Sequence, residues 1–340
     1  MLPQIRAVRR VVCSLKVIMP LAIVTLTIAG SGTSFAQTGL KKVRMSLPSS
    51  HIGYLAFYAA LEKGFYRQEG IDLELIVMPA NLASTAVLSG DLDYNGAISG
   101  VITAQIQGRP MRALIFTTER PLMFFISKNE IKEPAQLKGK KLAGSSPGAV
   151  ATMLSRLVLG KVGLDPDRDV ELNPMGGTGA GRFAALESGV VDAAVLELPY
   201  NIVAQQKGYN ELIFLGDFAE FPQNGFGAAE KKIRENPDEV YKMVRASLRG
   251  LAFVWDKQNY DEVMNIVMRQ WKIGNRAMAA EMFRHLTRVL TKDASVKTES
   301  VQLLVDMVRE NAKVTRPITV SEIADFRFVD KARKDIAAAR

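Results

Sequence analysis

Cysteine and histidine, the residues that most often supply nucleophiles and metal ligands, are almost absent from this sequence. The chain of 340 residues contains one cysteine, Cys13, and two histidines, His51 and His285. Their number excludes a metal site built from several Cys and His ligands, and nucleophile–histidine catalysis would have to use one of the two rings. His285 lies beside Phe283 and Leu286 in a helical pattern, which predicts a structural role. The composition argues against most enzymes, and we predict no catalytic residue, metal or cofactor.

Two loops of small residues indicate a different chemistry, the binding of an anion by backbone N–H groups. Ser145-Ser146-Pro147-Gly148 precedes a helical pattern that begins at Ala149, and Gly176-Gly177-Thr178-Gly179-Ala180-Gly181 precedes one that begins at Arg182. The first N–H groups of a helix lack internal partners and carry partial positive charge. A carboxylate, sulfonate or phosphonate would therefore fit there without a charged side chain. The alternative is that both loops are ordinary caps and tight turns, since every strand–helix unit needs one.

A few larger side chains also follow predicted strands. His51 and Tyr54 could contact a ligand through an imidazole or a phenol ring, and a surface-loop histidine is the alternative. Glu197 could accept a hydrogen bond from a ligand amine or hydroxyl, bridge two lobes, or pair with a neighbouring arginine. Arg120 and Arg182 could neutralise an anion, although an arginine beside a turn or helix start is more often a salt-bridge partner.

The elements that would position these residues occur twice in the sequence. The paired segments are 43–50 with 140–148, 54–63 with 149–161, 88–93 with 187–192, and 104–108 with 204–208. Four matches in the same order, at offsets near one hundred, predict an internal repeat. Each unit alternates strand and helix, which is typical of a mainly parallel sheet with helices on both faces.

The repeat predicts an α/β fold of two doubly wound lobes. Residues 37–127 and 218–340 would form lobe one, and residues 128–217 would form lobe two. Apolar residues recur at helical spacing from 237 to 256, and helical patterns continue at 260–271, 277–290 and 301–312. These patterns have no counterpart in lobe two, so we expect extra C-terminal helices on lobe one. The chain crosses twice between the lobes, and the two crossings make a hinge.

A cleft between the lobes is the predicted binding site, because ligands of open parallel sheets bind beyond the carboxyl ends of the strands. Five segments would line it: 48–54, 95–100, 145–150, 176–181 and 196–199. Few of their residues are charged, which favours a neutral, zwitterionic or singly anionic organic molecule. The predicted ligand-binding residues are Ser49, His51, Tyr54, Ile98, Ser99, Ser146, Gly148, Ala149, Gly177, Thr178 and Glu197.

The first 36 residues have the pattern of an export signal. Basic residues precede an apolar stretch at 17–29, and Ser34-Phe35-Ala36 fits the small-x-small cleavage rule. The stretch is shorter than the ~20 residues of a membrane span, and an uncleaved anchor is the alternative. Cys13 lies inside this segment, so the mature chain would have no thiol.

The formal net charge of +9 comes partly from this predicted signal. Four of the basic residues lie there, and the rest of the chain has 40 basic against 35 acidic residues. The remaining excess is scattered along the chain. It predicts a solvated surface and argues against nucleic-acid binding.

The same residues carry a resemblance to a known family. The chain resembles the ABC-transporter substrate-binding proteins of the nitrate/sulfonate/taurine and thiamine-pyrimidine-precursor group. The matching motifs are Ala59-Ala60-Leu61-Glu62-Lys63-Gly64-Phe65-Tyr66, Glu69-Gly70-Ile71-Asp72, Ser89-Gly90-Asp91-Leu92-Asp93, Arg120-Pro121-Leu122, Leu137-Lys138-Gly139-Lys140-Lys141, Ser145-Ser146-Pro147-Gly148 and the segment 186–192. The resemblance implies a periplasmic, type II-like two-lobed binding protein. Its partners would be a small-molecule ligand and an ABC permease, and we expect a monomer.

Other functions stay open at this point. The chain could be a sensory ligand receptor or the receptor of a transporter that is not ATP-driven. An enzyme acting on a pyrimidine-like molecule is a further alternative, because the superfamily includes a thiamine-pyrimidine synthase that looks to rely on a cysteine-rich iron site. No cysteine follows residue 13 in this sequence, so that activity is not carried over.

Overall fold

A computed structural model describes residues 39–145, 149–175 and 179–338. The predicted export signal, 1–36, lies outside the described residues. So do four predicted ligand-binding residues: Ser146, Gly148, Gly177 and Thr178. Within the described ranges, no helix combines the length and the apolar character that crossing a bilayer requires.

Strands and helices alternate through the first two thirds of the chain. The first unit contains β1 (Lys41–Leu47), α1 (Leu55–Glu62), α2 (Phe65–Gln68), β2 (Ile71–Val77), α3 (Ala80–Ser89), β3 (Tyr94–Asn95), α4 (Ile98–Ile106) and β4 (Met111–Phe116). The second contains β5 (Phe124–Ser127), β6 (Lys140–Gly144), α5 (Val150–Lys161), β7 (Val170–Pro174), α6 (Gly179–Glu187), β8 (Ala193–Leu196), α7 (Tyr200–Gln206) and β9 (Asn210–Phe214). A 3-10 turn at Ile52–Tyr54 precedes α1.

One more strand and seven helices complete the described chain. They are β10 (Gly225–Ala229), α8 (Glu230–Glu235), α9 (Pro237–Trp255), α10 (Tyr260–Trp271), α11 (Arg276–Thr287), α12 (Thr298–Asn311), α13 (Val320–Ile323) and α14 (Arg327–Ala338). Helices α9, α12 and α13 pack on α1, α4 and β4 of the first unit. The apolar face that helical spacing predicted in α9, which includes Val240, Val244 and Leu251, is buried.

The two units form two sheets of five strands with the same plan. Their orders are β2-β1-β3-β10-β4 and β7-β6-β8-β5-β9. The second strand of each sheet, β1 or β6, is parallel to both of its neighbours. The fourth strand, β10 or β5, is antiparallel to both of its neighbours. This matching topology confirms the predicted α/β fold class, in which two doubly wound lobes have the same strand topology.

The fourth strand of each sheet comes from the chain segment that has just crossed from the other unit. Strand β5 (Phe124–Ser127) follows β4 of the first sheet but pairs with β8 and β9 of the second. The predicted boundary at residue 127 left this strand in lobe one, so the topology moves the start of the second lobe back to Phe124 or earlier. All four residues of β5 are buried. A short apolar run shows that a strand is central, but not which sheet it enters.

Candidate functional site

His51 lies directly after β1, where it caps the 3-10 turn. Its Nδ1 accepts a hydrogen bond from the backbone N–H of Gly53 at 3.1 Å, and its Nε2 lies 3.1 Å from the side-chain amide of Asn224. The two contacts hold the imidazole ring at both of its nitrogens. A Cβ atom at Gly53 would lie 2.5 Å from both His51 Cε1 and Asn224 Oδ1, so only glycine fits between the two side chains.

Tyr54 packs beside this imidazole and links two strand ends of the first sheet. Its ring centroid lies 4.8 Å from that of His51, and its hydroxyl donates to the carbonyl of Gly96, after β3, at 3.1 Å. Asn95, also at the end of β3, accepts from the backbone N–H of Ala97 at 2.8 Å and so orients the start of α4. Tyr54 is only 2 % exposed. It is therefore a buried residue at the carboxyl end of the first sheet.

Asn224, in the segment that returns to the first sheet, is a site residue that sequence reasoning missed. It is fully buried, its backbone N–H donates to Thr118 Oγ1 at 3.0 Å, and its carbonyl accepts from the backbone N–H of Thr117 at 2.8 Å. It has no counterpart in the repeat, so the comparison of the two halves could not find it. The one available signal is its place immediately before the extended segment that begins at Gly225.

Glu197 follows β8 in the second unit, at the carboxyl end of the strand as predicted. Its Oε1 lies 3.5 Å from Nη2 of Arg182, and its side chain is 18 % exposed. Arg182 is buried, and its Nε donates to the carbonyl of Val195 at 2.7 Å. Of the alternatives for Glu197, pairing with a neighbouring arginine is therefore present. Arg182 acts as a buried support for Glu197, which is the salt-bridge role rather than the exposed anion site.

The start of α6 leaves space for this carboxylate. A Cβ atom at Gly179 would lie 3.5 Å from Glu197 Oε2 and 2.9 Å from the ring of Tyr200. The missing side chain thus lets Tyr200 and Glu197 approach the first residue of α6. Three elements of the second unit, α6, β8 and α7, meet at this point.

The Glu197 carboxylate acts electrostatically on His51 and Tyr54 of the first unit. Burial lowers the pKa of His51 below its ordinary value, and the Glu197 carboxylate opposes that shift. Burial raises the pKa of Tyr54, a hydrogen bond with Asn224 opposes the rise, and Glu197 adds to it. Since burial has the largest effect on each group, the imidazole and the phenol are both uncharged at neutral pH. We call His51, Tyr54, Asn224 and Glu197 the cleft cluster.

The other described candidates lie at strand and helix ends but outside the hydrogen bonds of the cleft cluster. Ser49, Ser99 and Ala149 are partly exposed, and Ile98 is buried. Arg120 pairs with Glu220 at 2.5 Å, beside a crossing between the units, rather than facing the cluster. His285 in α11 is buried and packs edge-on against Phe124, with ring centroids 5.3 Å apart. The structure thus agrees with a packing role for this second histidine.

Two other observations bear on alternative sites. A surface depression of about 350 Å³ lies at the outer edge of β7, where Glu171, Met175 and Val190 line it, and none of the cleft-cluster residues is in its lining. In the part of the chain that the structure describes, no group of three or more His, Cys, Asp and Glu side chains could hold a metal ion.

Comparisons with known proteins find related sequences. The family model described as NMT1/THI5 like matches residues 51–259. The riboflavin-binding protein RibY of Chloroflexus aurantiacus is 28% identical over 232 residues, which cover 64% of this chain and 63% of that protein. The chain spans less than two thirds of the length of each curated relative that it matches.

Solved structures share the fold at lower sequence identity. The periplasmic aliphatic sulphonate-binding protein SsuA of Escherichia coli superposes with a TM-score of 0.65 at 18% identity, covering 84% of this chain and 92% of SsuA. The desulfurization enzyme DszB superposes with a TM-score of 0.64 at 17% identity, covering 87% and 99%. Binding proteins and an enzyme thus share this fold. Together with the family match, these relatives confirm the resemblance that the sequence motifs predicted.

Proposed function

This chain belongs to the NMT1/THI5-like family, and from that premise we propose that it is a periplasmic solute-binding protein. It captures a small organic molecule between its two lobes and delivers it to an ABC importer. The observation that supports the proposal is the pair of matching sheets, whose strand ends carry His51 and Tyr54 on one side of the predicted cleft and Glu197 on the other. A molecule bound there touches both lobes at once.

Contact with both lobes is what couples binding to a change of shape. A ligand that reaches both sides of a cleft only when the cleft is closed shifts the population toward the closed form. An importer can then recognise the closed form. In this proposal the glycine-rich loops, with Ser146, Gly148, Gly177 and Thr178, supply N–H groups to the polar end of the ligand.

The ligand is a neutral, zwitterionic or singly anionic organic molecule. Two relatives bind chemically different compounds by name, riboflavin and aliphatic sulphonates. Both classes therefore belong in a screen, beside carboxylates, aromatic acids and pyrimidines.

Catalysis is the alternative that the fold of DszB raises. In this chain both ring nitrogens of His51 already have partners, the Gly53 N–H and the Asn224 amide. A ring held in this way would have to break a buried hydrogen bond before it could accept a proton from a substrate. This arrangement favours a receptor over an enzyme.

A thermal-shift screen of the purified protein tests the proposal. The protein is first partly unfolded and refolded to remove any ligand retained from the expression host. A compound at ~100 times its Kd adds about 2.7 kcal/mol to the free energy of unfolding, which raises the melting temperature measurably. We expect a saturable shift from one class of compound, and mass spectrometry should recover that compound unaltered.

Two results would contradict this function in different ways. Chemical conversion of the compound would show that the protein is an enzyme rather than a receptor. The absence of a shift from every class would argue against a small-molecule site in the cleft. Loss of uptake of the bound compound when the gene is deleted, with recovery of the protein from the periplasmic fraction as a monomer, would support delivery to an importer.

A further inference from the structure

The side chain of Glu197 is held in place by a buried arginine. Arg182, 1% exposed, hydrogen-bonds to the backbone of β8 through Nε and directs Nη2 toward Glu197 Oε1. The guanidinium cannot lose its proton, so the carboxylate always has a positive charge on its buried side. The carboxylate is still 18% exposed, and it retains acceptor capacity beyond this one pairing.

His51 and Tyr54, the two groups of the other lobe whose pKa Glu197 affects, bring no positive charge. His51 is neutral because burial lowers its pKa, and the Tyr54 hydroxyl is neutral and donates to Gly96. Arg182 is the cation paired with Glu197 in this cluster, and it is buried behind the carboxylate rather than exposed in the cleft. In the described part of the cleft, the more exposed side of this ion pair is therefore the Glu197 carboxylate.

We propose that the ligand donates a hydrogen bond to Glu197 from an N–H group. This inference rests on the proposed binding function and names its substrate class: amines, amides and nitrogen heterocycles with a ring N–H. An ionised carboxylate only accepts hydrogen bonds, so it selects for donors. A simple oxyanion placed against it would be repelled. The half-buried ring of Tyr200, beside Gly179 and Glu197, provides a flat apolar wall suited to a planar heterocycle.

Matched ligand pairs test this class on the unaltered protein. Taurine is compared with ethanesulfonate, uracil with 1,3-dimethyluracil, and every other compound that shifts the melting temperature with its N-methylated or amine-free analogue. Calorimetry gives the Kd of each member. We expect binding only from compounds that carry an N–H donor, and at least tenfold weaker binding when that donor is removed.

A variant of the carboxylate gives a second measurement. Glu197→Gln removes the charge and should raise the Kd of the bound compound at least tenfold. Glu130→Gln, an exposed glutamate in the same lobe, is the control and should bind unchanged. Circular dichroism of both variants without ligand checks that they are folded. If Glu197→Gln does not fold, the matched ligand pairs on the unaltered protein still test the inference.

The outcomes separate this inference from the proposed function. A donor-free anion such as ethanesulfonate that binds as tightly as taurine, or a Glu197→Gln variant that binds equally or better, overturns the inference and leaves a binding protein. If no compound binds at all, the proposed function fails and the inference fails with it.

Discussion

Asn224 connects parts of the chain that are far apart in sequence. Its side-chain amide meets His51, 173 residues away, and its backbone N–H reaches the Thr118 hydroxyl, 106 residues away. The first contact lies at the cleft, and the second lies at the crossing between the lobes. One buried residue therefore ties the loop that carries His51 to the connection between the lobes.

We predict that Asn224→Ala destabilises the protein and weakens ligand binding. The substitution leaves the buried His51 Nε2 without its amide partner, and an unsatisfied buried polar group costs about 1–3 kcal/mol. Urea denaturation measures the loss of stability, and calorimetry measures the weaker affinity. Asn129→Ala, at an exposed position, should change neither quantity. Equal stability of Asn224→Ala and the wild type would show that this amide does not support the site.

Single residues were predictable where a strand end determined their place. His51 and Tyr54 follow strand β1 and their rings lie 4.8 Å apart, and Glu197 follows strand β8 as the sequence predicted. Asn224 could not be predicted, because its importance comes from a fold that returns it to the loop before α1. The burial of Arg182 could not be predicted either, since a sequence pattern does not show which arginine side chain is buried.

At the scale of elements, α9 packs closely on α1 through a glycine. A Cβ atom at Gly250 would meet the backbone carbonyl of Ala56 and would lie 2.7 Å from the Cβ of Ala60. Gly250 is fully within α9 and buried. The missing side chain lets the two helices approach more closely than an alanine would allow.

We predict opposite effects for two glycine-to-alanine substitutions in helices. Gly250→Ala should destabilise the protein by about 1–3 kcal/mol, because overpacking outweighs the gain in helix propensity. Gly160→Ala in α5, where a Cβ would meet nothing within 4 Å, should stabilise it by up to about 1 kcal/mol. Thermal and urea denaturation compare the two variants. A stabilising Gly250→Ala would disprove the close contact between α1 and α9.

Most elements could be predicted from the repeat, but their pairing could not. The repeated segments 43–50 and 140–148 contain most of β1 and β6, around which the sequence predicted a mainly parallel sheet. The positions of β5 and β10 depend on hydrogen bonds to strands far away in sequence. Their apolar composition shows only that they are buried.

At the scale of the whole molecule, α11 connects the C-terminal helices to the second sheet. The guanidinium of Arg288, just after α11, lies 4.0 Å from the ring centroid of Phe214 in β9, and it pairs with Asp217 at 3.5 Å. His285 packs edge-on against Phe124 in β5. The second lobe is thus held by this contact as well as by the two crossings.

We predict that low pH lowers the free energy of unfolding by protonating His285, which packs against Phe124. Burial, together with smaller contributions from the positive charges of Arg284 and Arg288, lowers the pKa of His285 from 6.5 to about 4. The unfolded chain therefore binds a proton that the folded chain excludes, so the free energy of unfolding falls as pH drops from about 6.5 toward 4. Screening by solvent limits the loss to about 1 kcal/mol.

Urea denaturation at pH 7 and pH 4.5 measures this loss, with His285→Gln as the comparison. The variant should lose about 1 kcal/mol less than the wild type between the two pH values, since glutamine does not titrate. Parallel losses in the two proteins would assign the acid sensitivity to other groups.

Because strands cross between the sheets, the two lobes become able to fold at different stages of protein synthesis. Every strand of the second sheet lies in the continuous stretch from Phe124 to Phe214, so that lobe can assemble as soon as this stretch is available. The first sheet waits for Gly225–Ala229, because β10 is the strand that joins β3 to β4. Until then β3 and β4 present unpaired edges, the feature by which partly folded chains aggregate. The first lobe therefore starts to be synthesised before the second but completes its sheet after it. A chain truncated between 215 and 224 would contain a complete second sheet and an incomplete first sheet.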